Sequence, residues 1–232
     1  MFVIILGPAG SGKTTLVKKL KEFNTISINL DPASDTETDV DIRKWIRTED
    51  IQKKYSLGIN GALLKSMEMI ADEEKWIDEG DEIKVVDTPG QLEIFLYHDY
   101  GKKIVKKLLL HDIVTGIFVI DAMEASSIEN YLALLAQNAI INLRLEIPLL
   151  TAINKVDLVN KEKLLNFMEK ENIDKMLEKG DALLSLAKGL VEYVEYTSIL
   201  QRPLLISAKT GEGIDDLYSA IYEVHCGCGD IS

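Results

Sequence analysis

The stretch Gly7-Pro8-Ala9-Gly10-Ser11-Gly12-Lys13-Thr14 has the spacing G-x-x-x-x-G-K-[ST], and each residue type in it has a chemical use. Glycines let backbone N–H groups turn inward around phosphate oxygens. Lys13 sets a point charge on the β/γ oxygens of a nucleotide, and the Thr14 hydroxyl can ligate Mg²⁺. The N-terminus of a following helix adds partial positive charge. Gly10, Ser11, Gly12, Lys13, Thr14 and the adjoining Thr15 are therefore the candidate nucleotide contacts. A chance glycine-rich turn is the plain alternative. The stretch lies between an apolar run, FVIIL (2–6), and an amphipathic one, KTTLVKKLKEF (13–23), as a phosphate loop requires.

Three further stretches could complete a site around that loop. Asp87-Thr88-Pro89-Gly90-Gln91 follows the apolar IKVV. A carboxylate at a strand end can hold Mg²⁺ through water, the Gly90 N–H can meet a γ-phosphate, and Gln91 can orient an attacking water. A Pro-Gly turn by itself would carry no such meaning. Asn154-Lys155-Val156-Asp157 closes PLLTAI. The Asp157 carboxylate can accept two N–H bonds from a purine edge, which selects guanine, because adenine presents no such donor pair. The Lys155 stem can lie on the ring face, and Asn154 can brace the loop. Ser207-Ala208-Lys209 closes the last apolar run, where the Ala208 N–H could bind guanine O6. Each stretch is weak alone; their order, each at the end of an apolar run, makes them a set.

The elements that must position these residues are legible as short apolar runs, each followed by a helical pattern. The expected strands are 2–6, 25–30, 83–87, 113–121, 147–154 and 203–208, and the expected helices 13–23, 61–79, 126–143, 161–176 and 213–224. The strands are nearly continuous in apolar residues rather than alternating. That pattern predicts an α/β fold: a doubly wound, mostly parallel sheet with helices on both faces. The segment 31–58 carries no strand signal and many Asp and Thr residues, so a mobile loop with one short helix is expected there. The 232 residues, without repeats or a Pro/Ser-rich linker, read as a single domain, 1–232.

Composition narrows the partners. Apolar residues make up 47 %, enough for a sizeable core, and Lys+Arg 26 against Asp+Glu 38 gives a net charge of −12. So acidic a chain repels phosphate backbones, which argues against direct nucleic-acid binding; any phosphate must be held by a local site. No charge-free run approaches the roughly 18 residues needed to span a bilayer. MFVIILG is too short for a signal peptide and lacks a basic n-region, so a cytoplasmic setting is expected.

Taken together, GPAGSGKTT, NLDP at 29–32, DTPGQLEIF at 87–95, NKVD, SAK and the tail HCGCGD resemble the GPN-loop GTPases, a family of P-loop GTPases, over almost the whole chain. The resemblance implies an α/β homodimer that binds GTP and GDP with Mg²⁺ and hydrolyses GTP as a conformational switch or assembly factor. Eukaryotic relatives are linked to RNA polymerase II assembly, so a protein client of that kind is implied. The resemblance also places Asp31, in NLDP, near Mg²⁺ and the attacking water, as base or water holder; an Asp-Pro turn is its plain reading. The name-giving loop is Gly-Pro-Asn, and this chain carries Gly58-Ile59-Asn60 in its place. In the family that loop enters the partner's active site, which makes Asn60 a candidate catalytic residue beside Asp31, Gln91 and Lys13. Ile59 can adopt the proline φ without being held to it. The alternative is that Asn60 caps a helix beginning near Ala62. Both readings stand on the sequence.

Other features stay open. Arg43 and Arg47, two of four arginines, are the candidates for a transition-state charge; a solvated surface role is the commoner one. His225, Cys226 and Cys228 could bind zinc or nickel, as in a metal-delivery GTPase, but a structural zinc site needs four ligands. Lys102, Lys103, Lys106 and Lys107 read as the wet face of a helix. The leucine-rich segment within 180–200 is core or half of a dimer surface. A nucleotide kinase would need an arginine-rich lid, which four arginines do not supply, and a GTP-binding scaffold with little turnover is a further alternative.

Overall fold

A computed structural model describes residues 1–77, 80–168, 189, 192–193 and 203–229, with 128–129, 166–167 and 225–229 described by backbone only. Its frame is a seven-stranded sheet in the order β3-β2-β4-β1-β5-β6-β7. The strands are β1 (Phe2–Leu6), β2 (Ile26–Asn29), β3 (Val40–Asp41), β4 (Lys84–Asp87), β5 (Val114–Asp121), β6 (Leu149–Asn154) and β7 (Leu204–Leu205). Every pairing is parallel. The expected α/β architecture with a parallel sheet is the one observed.

The continuous apolar runs have their cause in this arrangement. Every residue of β1 is fully buried. Phe2, Ile4 and Leu6 join one apolar cluster, whereas Val3 and Ile5 join another on the opposite face. A strand covered on both faces has no polar side to display. One face is covered by α1 (Lys13–Leu20) and α8 (Ile214–Gly229), through Leu16, Val17, Leu20, Leu217 and Ile221. The other is covered by α3 (Ile59–Asp72), α5 (Asp99–Leu109) and α6 (Ile128–Leu145), whose buried residues include Met67, Ile70, Ile104, Leu108 and Leu135. Ser127 caps α6, its Oγ accepting the Asn130 N–H at 3.3 Å.

Several boundaries differ from expectation. The segment 31–58 contains the one short helix expected there, α2 (Thr48–Tyr55), and in addition the edge strand β3 and a 3₁₀ turn over Ile42–Lys44, which carry no sequence signal. Two residues are too few to show a period, and β3 exists because Ile28↔Val40 and Asn29↔Asp41 pair across the chain. The helix expected at 61–79 is α3, which starts at Ile59 and ends at Asp72. Past it, Trp76 is fully buried in a non-helical turn, and its indole N–H reaches the Ile70 carbonyl at 3.4 Å. The helix α7 (Lys161–Met168) is the start of the segment expected at 161–176. The remainder of that segment, and the proposed interface segment at 180–200 apart from residues 189 and 192–193, lie outside the described residues. Among the described residues no helix is long and apolar enough to cross a membrane.

Candidate functional site

The C-terminal ends of β1, β4, β5 and β6 lie side by side, in register Ile5↔Asp87, Leu6↔Phe118 and Asp121↔Asn154. The phosphate loop, Asp87–Gln91 and Asn154–Asp157 follow the ends of β1, β4 and β6, and Asp31 and Ser207–Lys209 follow β2 and β7. In a parallel sheet this edge is where ligands bind, because the loops and the helix N-termini converge there.

β1 leads into the phosphate loop. Gly10 (φ +81°) and Gly12 (φ +96°) hold backbone angles that L side chains rarely adopt. At Gly12 a Cβ would also overlap Asn154 Nδ2. The loop is thus pressed against the β6 loop. Asn154 is buried and joins three segments: its Nδ2 donates to Ser11 O, and its Oδ1 accepts the Ala208 N–H, each at 2.9 Å. The bracing role expected of Asn154 has its geometry here. The Ala208 N–H, expected to face guanine O6, is instead given to Asn154 Oδ1, because a buried amide oxygen requires a donor. Ser207 Oγ accepts the Thr210 N–H at 3.2 Å and shapes the same turn, and Lys209 is exposed. Thr15 is exposed one residue into α1 beyond Thr14, and Ser11 Oγ is buried without a hydrogen-bond partner.

Lys13 is buried, and its ammonium donates to Gly7 O at 2.8 Å and Pro8 O at 3.0 Å. Burial lowers its pKa, while the charges of Asp87, Asp31 and Glu93 oppose the shift. Thr14 Oγ1 donates to Asp87 Oδ2 at 2.6 Å, which brings both expected metal ligands of the loop and β4 together. Burial pushes Asp87 up to about 6, against the Thr14 bond and the Lys13 charge; Asp31 adds to the rise. The second oxygen, Asp87 Oδ1, is buried with no hydrogen-bond partner among the described residues. A buried carboxylate with an orphaned oxygen beside a threonine hydroxyl fits a hard divalent cation, which prefers oxygen ligands and supplies the missing charge.

Asp31 lies across the site from the loop. Its Oδ2 accepts the Gly90 N–H at 3.4 Å, and its Oδ1 accepts the Ala33 N–H at 2.9 Å. The 31–58 segment and the β4 exit loop therefore meet through a carboxylate and the N–H expected to meet a γ-phosphate. Gln91 is exposed at the N-cap of α4 (Leu92–Tyr97), where its side chain makes no capping bond. Asn29 was not singled out from the sequence. It is fully buried, its Oδ1 accepts the Asp31 N–H at 2.9 Å, and its Nδ2 lies 3.3 Å from Asp31 O, Ser34 O and Asp41 Oδ1. Glu93 and Asp121 were also passed over. Asp121 could have been found from its place, because it ends β5 level with Asn154.

On the base side, Lys155 adopts φ +66°. Its ammonium donates to Gly10 O at 2.7 Å and to Asp121 Oδ2 at 2.6 Å. Asp157, the expected guanine acceptor, is exposed in the 3₁₀ turn that follows.

Two expectations change. Asn60 is not a helix cap: α3 begins at Ile59 with Gly58 as its N-cap, so Asn60 sits exposed in the first turn, beside an Ile59 that is 72 % exposed. Arg43 is held by carboxylates, its Nη2 at 2.6 Å from Asp35 and 2.7 Å from Asp41, and Arg47 Nε donates to Arg43 O at 3.0 Å. Both arginines serve the 31–58 segment in this arrangement. Lys102, Lys103 and Lys106 of α5 lie on its wet face, Lys102 paired with Glu146 and Lys103 with Asp72, whereas Lys107 is 12% exposed and donates to Glu73 O at 3.2 Å. The backbone of Cys226 and Cys228 continues α8, and the metal reading of their side chains lies outside the described residues.

A parallel α/β sheet with a phosphate loop after β1, an Asp at the end of β4 and an N-K-x-D turn after β6 defines a P-loop nucleotide hydrolase. Residues 5–227 match a family profile described as a conserved hypothetical ATP-binding protein. The relatives specify the nucleotide differently from that description. The GPN-loop GTPase PAB0955 of Pyrococcus abyssi is 30% identical across 100% of both chains. The GPN-loop GTPase QQT1 of Arabidopsis thaliana is 32% identical over 71% of this chain and 61% of its own. The crystal structure of the Pyrococcus GTPase in apo form superposes with a TM-score of 0.75 at 28% identity, covering 97% of each chain. This chain belongs to the GPN-loop GTPase family, and it is a GTPase.

Proposed function

We propose that the protein is a homodimeric, Mg²⁺-dependent GTPase of the cytoplasm that acts as a conformational switch or assembly factor for a protein client. RNA polymerase assembly is the client class implied by family resemblance, and neither nucleic acid nor membrane is bound directly. The observation that carries the Mg²⁺ dependence is the orphaned Asp87 Oδ1, buried beside the Thr14–Asp87 bond. The cation, when bound between Thr14, Asp87 and the nucleotide, would neutralise charge on the phosphate oxygens.

The chain's own residues have the following parts. Asp157 accepts from the guanine edge, and Lys155 lies against the ring. Lys13 leaves Gly7 O and Pro8 O for the β/γ oxygens, an exchange favoured because a phosphate is a stronger acceptor than a neutral carbonyl. The Gly90 N–H leaves Asp31 for the γ-phosphate, which frees the Asp31 carboxylate to hold the attacking water together with Gln91. The water oxygen bonds to the γ-phosphorus as the bridging P–O bond breaks, giving GDP and phosphate. Loss of phosphate returns Gly90 to Asp31. The contact between 31–58 and 88–95 thereby differs between the GTP and GDP states, as a switch needs. Asn60 is assigned to the partner's site on the family resemblance, in which this loop enters the partner's active site.

Single-turnover phosphate release across a Mg²⁺ series tests this reading. Thr14→Ala should abolish turnover at low Mg²⁺ and respond weakly to added Mg²⁺. A normal rate and normal Mg²⁺ response in that variant would remove Thr14 and Asp87 from the metal site.

A further inference from the structure

We infer that Asp121 is a positioning residue of the nucleotide site, which fixes Lys155 across the phosphate loop and so sets the affinity for the base. The inference rests on the assignment of the N-K-x-D turn to guanine. Asp121 ends β5 and is 14% exposed in its side chain. One of its oxygens, Oδ1, accepts the Met123 N–H at 2.9 Å. That bond turns the carboxylate back toward the site and fixes it before any ligand arrives. The other, Oδ2, receives the Lys155 ammonium at 2.6 Å.

Lys155 is held at both ends. Its backbone is in the left-handed region at φ +66°, and its ammonium bridges Asp121 and Gly10 O. The methylene stem between these anchors runs along the outside of the phosphate loop, where a Cβ on Gly12 would come within 3.9 Å of Lys155 Cε. A purine whose edge is held by Asp157, two residues along the same turn, meets that stem with its face. Apolar stem carbons can cover an aromatic ring while the charged head is anchored elsewhere. A free lysine would lose side-chain entropy on covering the ring; one already anchored has lost it in folding. Gly10 O alone is a neutral acceptor, and the carboxylate supplies the stronger, charge-assisted bond. No contact in this set involves the γ-phosphate, so GDP and GTP depend on it alike.

The test compares Asp121→Asn, Lys155→Ala and the double variant, with affinities for GDP and GTP from titration and kcat at saturating GTP. Asn keeps an oxygen for the Met123 N–H and loses the charge toward Lys155, so the turn survives; matching urea unfolding curves for Asp121→Asn and wild type check this. Asp121→Asn should weaken GDP and GTP by the same factor, about tenfold, the size of one charge-assisted hydrogen bond. The loss should fall on KM far more than on kcat. In the Lys155→Ala background the Asp121 substitution should add nothing. Wild-type affinity in Asp121→Asn, or an undiminished further loss in the double variant, would overturn the inference. Wild-type affinity in Lys155→Ala would instead overturn the base-site assignment on which it rests.

Discussion

At the scale of single residues, the site is a set of polar groups whose partners are assigned with little slack. Asn154 uses its amide in both directions, to Ser11 O and from the Ala208 N–H, and Gly12 must be glycine for that amide to fit. Asp87 has one oxygen engaged by Thr14 and the other, like Ser11 Oγ, buried without a partner among the described residues. Asn154 is satisfied within the chain as a brace must be, whereas a buried oxygen without a partner, such as Asp87 Oδ1, is open to a ligand. Asp157, proposed to accept from the guanine edge, is exposed in its 3₁₀ turn. Asp157→Asn should therefore leave the fold intact while GTP affinity falls by roughly 1.5–3 kcal/mol, the value of a hydrogen bond to a charged group. Xanthosine triphosphate, which carries an oxygen where guanine carries its amine, should gain relative to GTP. Titrating both nucleotides against both proteins checks this, and an unchanged GTP affinity would take Asp157 out of the base site.

At the scale of elements, the β3 segment depends on side-chain bonds more than on its own sequence. Asp39 Oδ2 accepts from Ser27 Oγ at 2.7 Å and Ser27 N at 2.9 Å, and Lys21 reaches Oδ1 at 2.9 Å. Partial burial would raise the Asp39 pKa, but these bonds outweigh it and bring it down to about 2. A depressed carboxylate stabilises the fold above its unfolded pKa, near 4, and that contribution is lost as the pH falls toward 2. Because Asp39 is 44% exposed, solvent screening limits the effect to about 0.5–1 kcal/mol. Urea unfolding of Asp39→Asn and wild type should show this gap at pH 7 and see it close between pH 4 and pH 2; a gap constant over that range would contradict the account. The same segment shows where sequence reading ends. β1, β4, β5 and β6 were legible because burial on both faces writes itself into the residues as FVIIL, KVVD, VTGIFVID and LLTAIN. The motifs were legible because each lies at the end of such a run. β3 is two residues long and exists through Ile28 and Asn29 of another strand. α2, the short helix expected in this segment, buries only Thr48 and Ile51, too little for a helical period to fix its bounds. Asn29 and Asp121 were missed for a related reason: their partners, Asp41 and Lys155, are remote in sequence, and no local pattern joins them.

At the scale of the whole molecule, the open matter is which chain completes which site. Asn60 starts α3 on the surface, next to an isoleucine that is 72 % exposed, and makes no bond that fixes the cap of its own helix. A residue so placed has no role in hydrolysis, works in the site of its own chain, or works in a second copy of the chain. If it works in trans, a complete site needs Lys13 from one chain and Asn60 from the other. Lys13→Ala and Asn60→Ala homodimers should then each be slow. In a closed two-fold dimer, a mixed pair has one site with both good residues and one with neither. Random exchange makes about half the dimers mixed, and each mixed dimer has one working site of two. Activity should therefore recover to about a quarter of wild type if the sites act independently. If Asn60 acts within its own chain, each intact Lys13 stays beside a defective Asn60, and mixing restores nothing. Native mass analysis must first establish that mixed dimers form. Mixed dimers with no gain over the mean of the two parents would overturn the trans assignment and leave Gly58-Ile59-Asn60 as the exposed first turn of a helix.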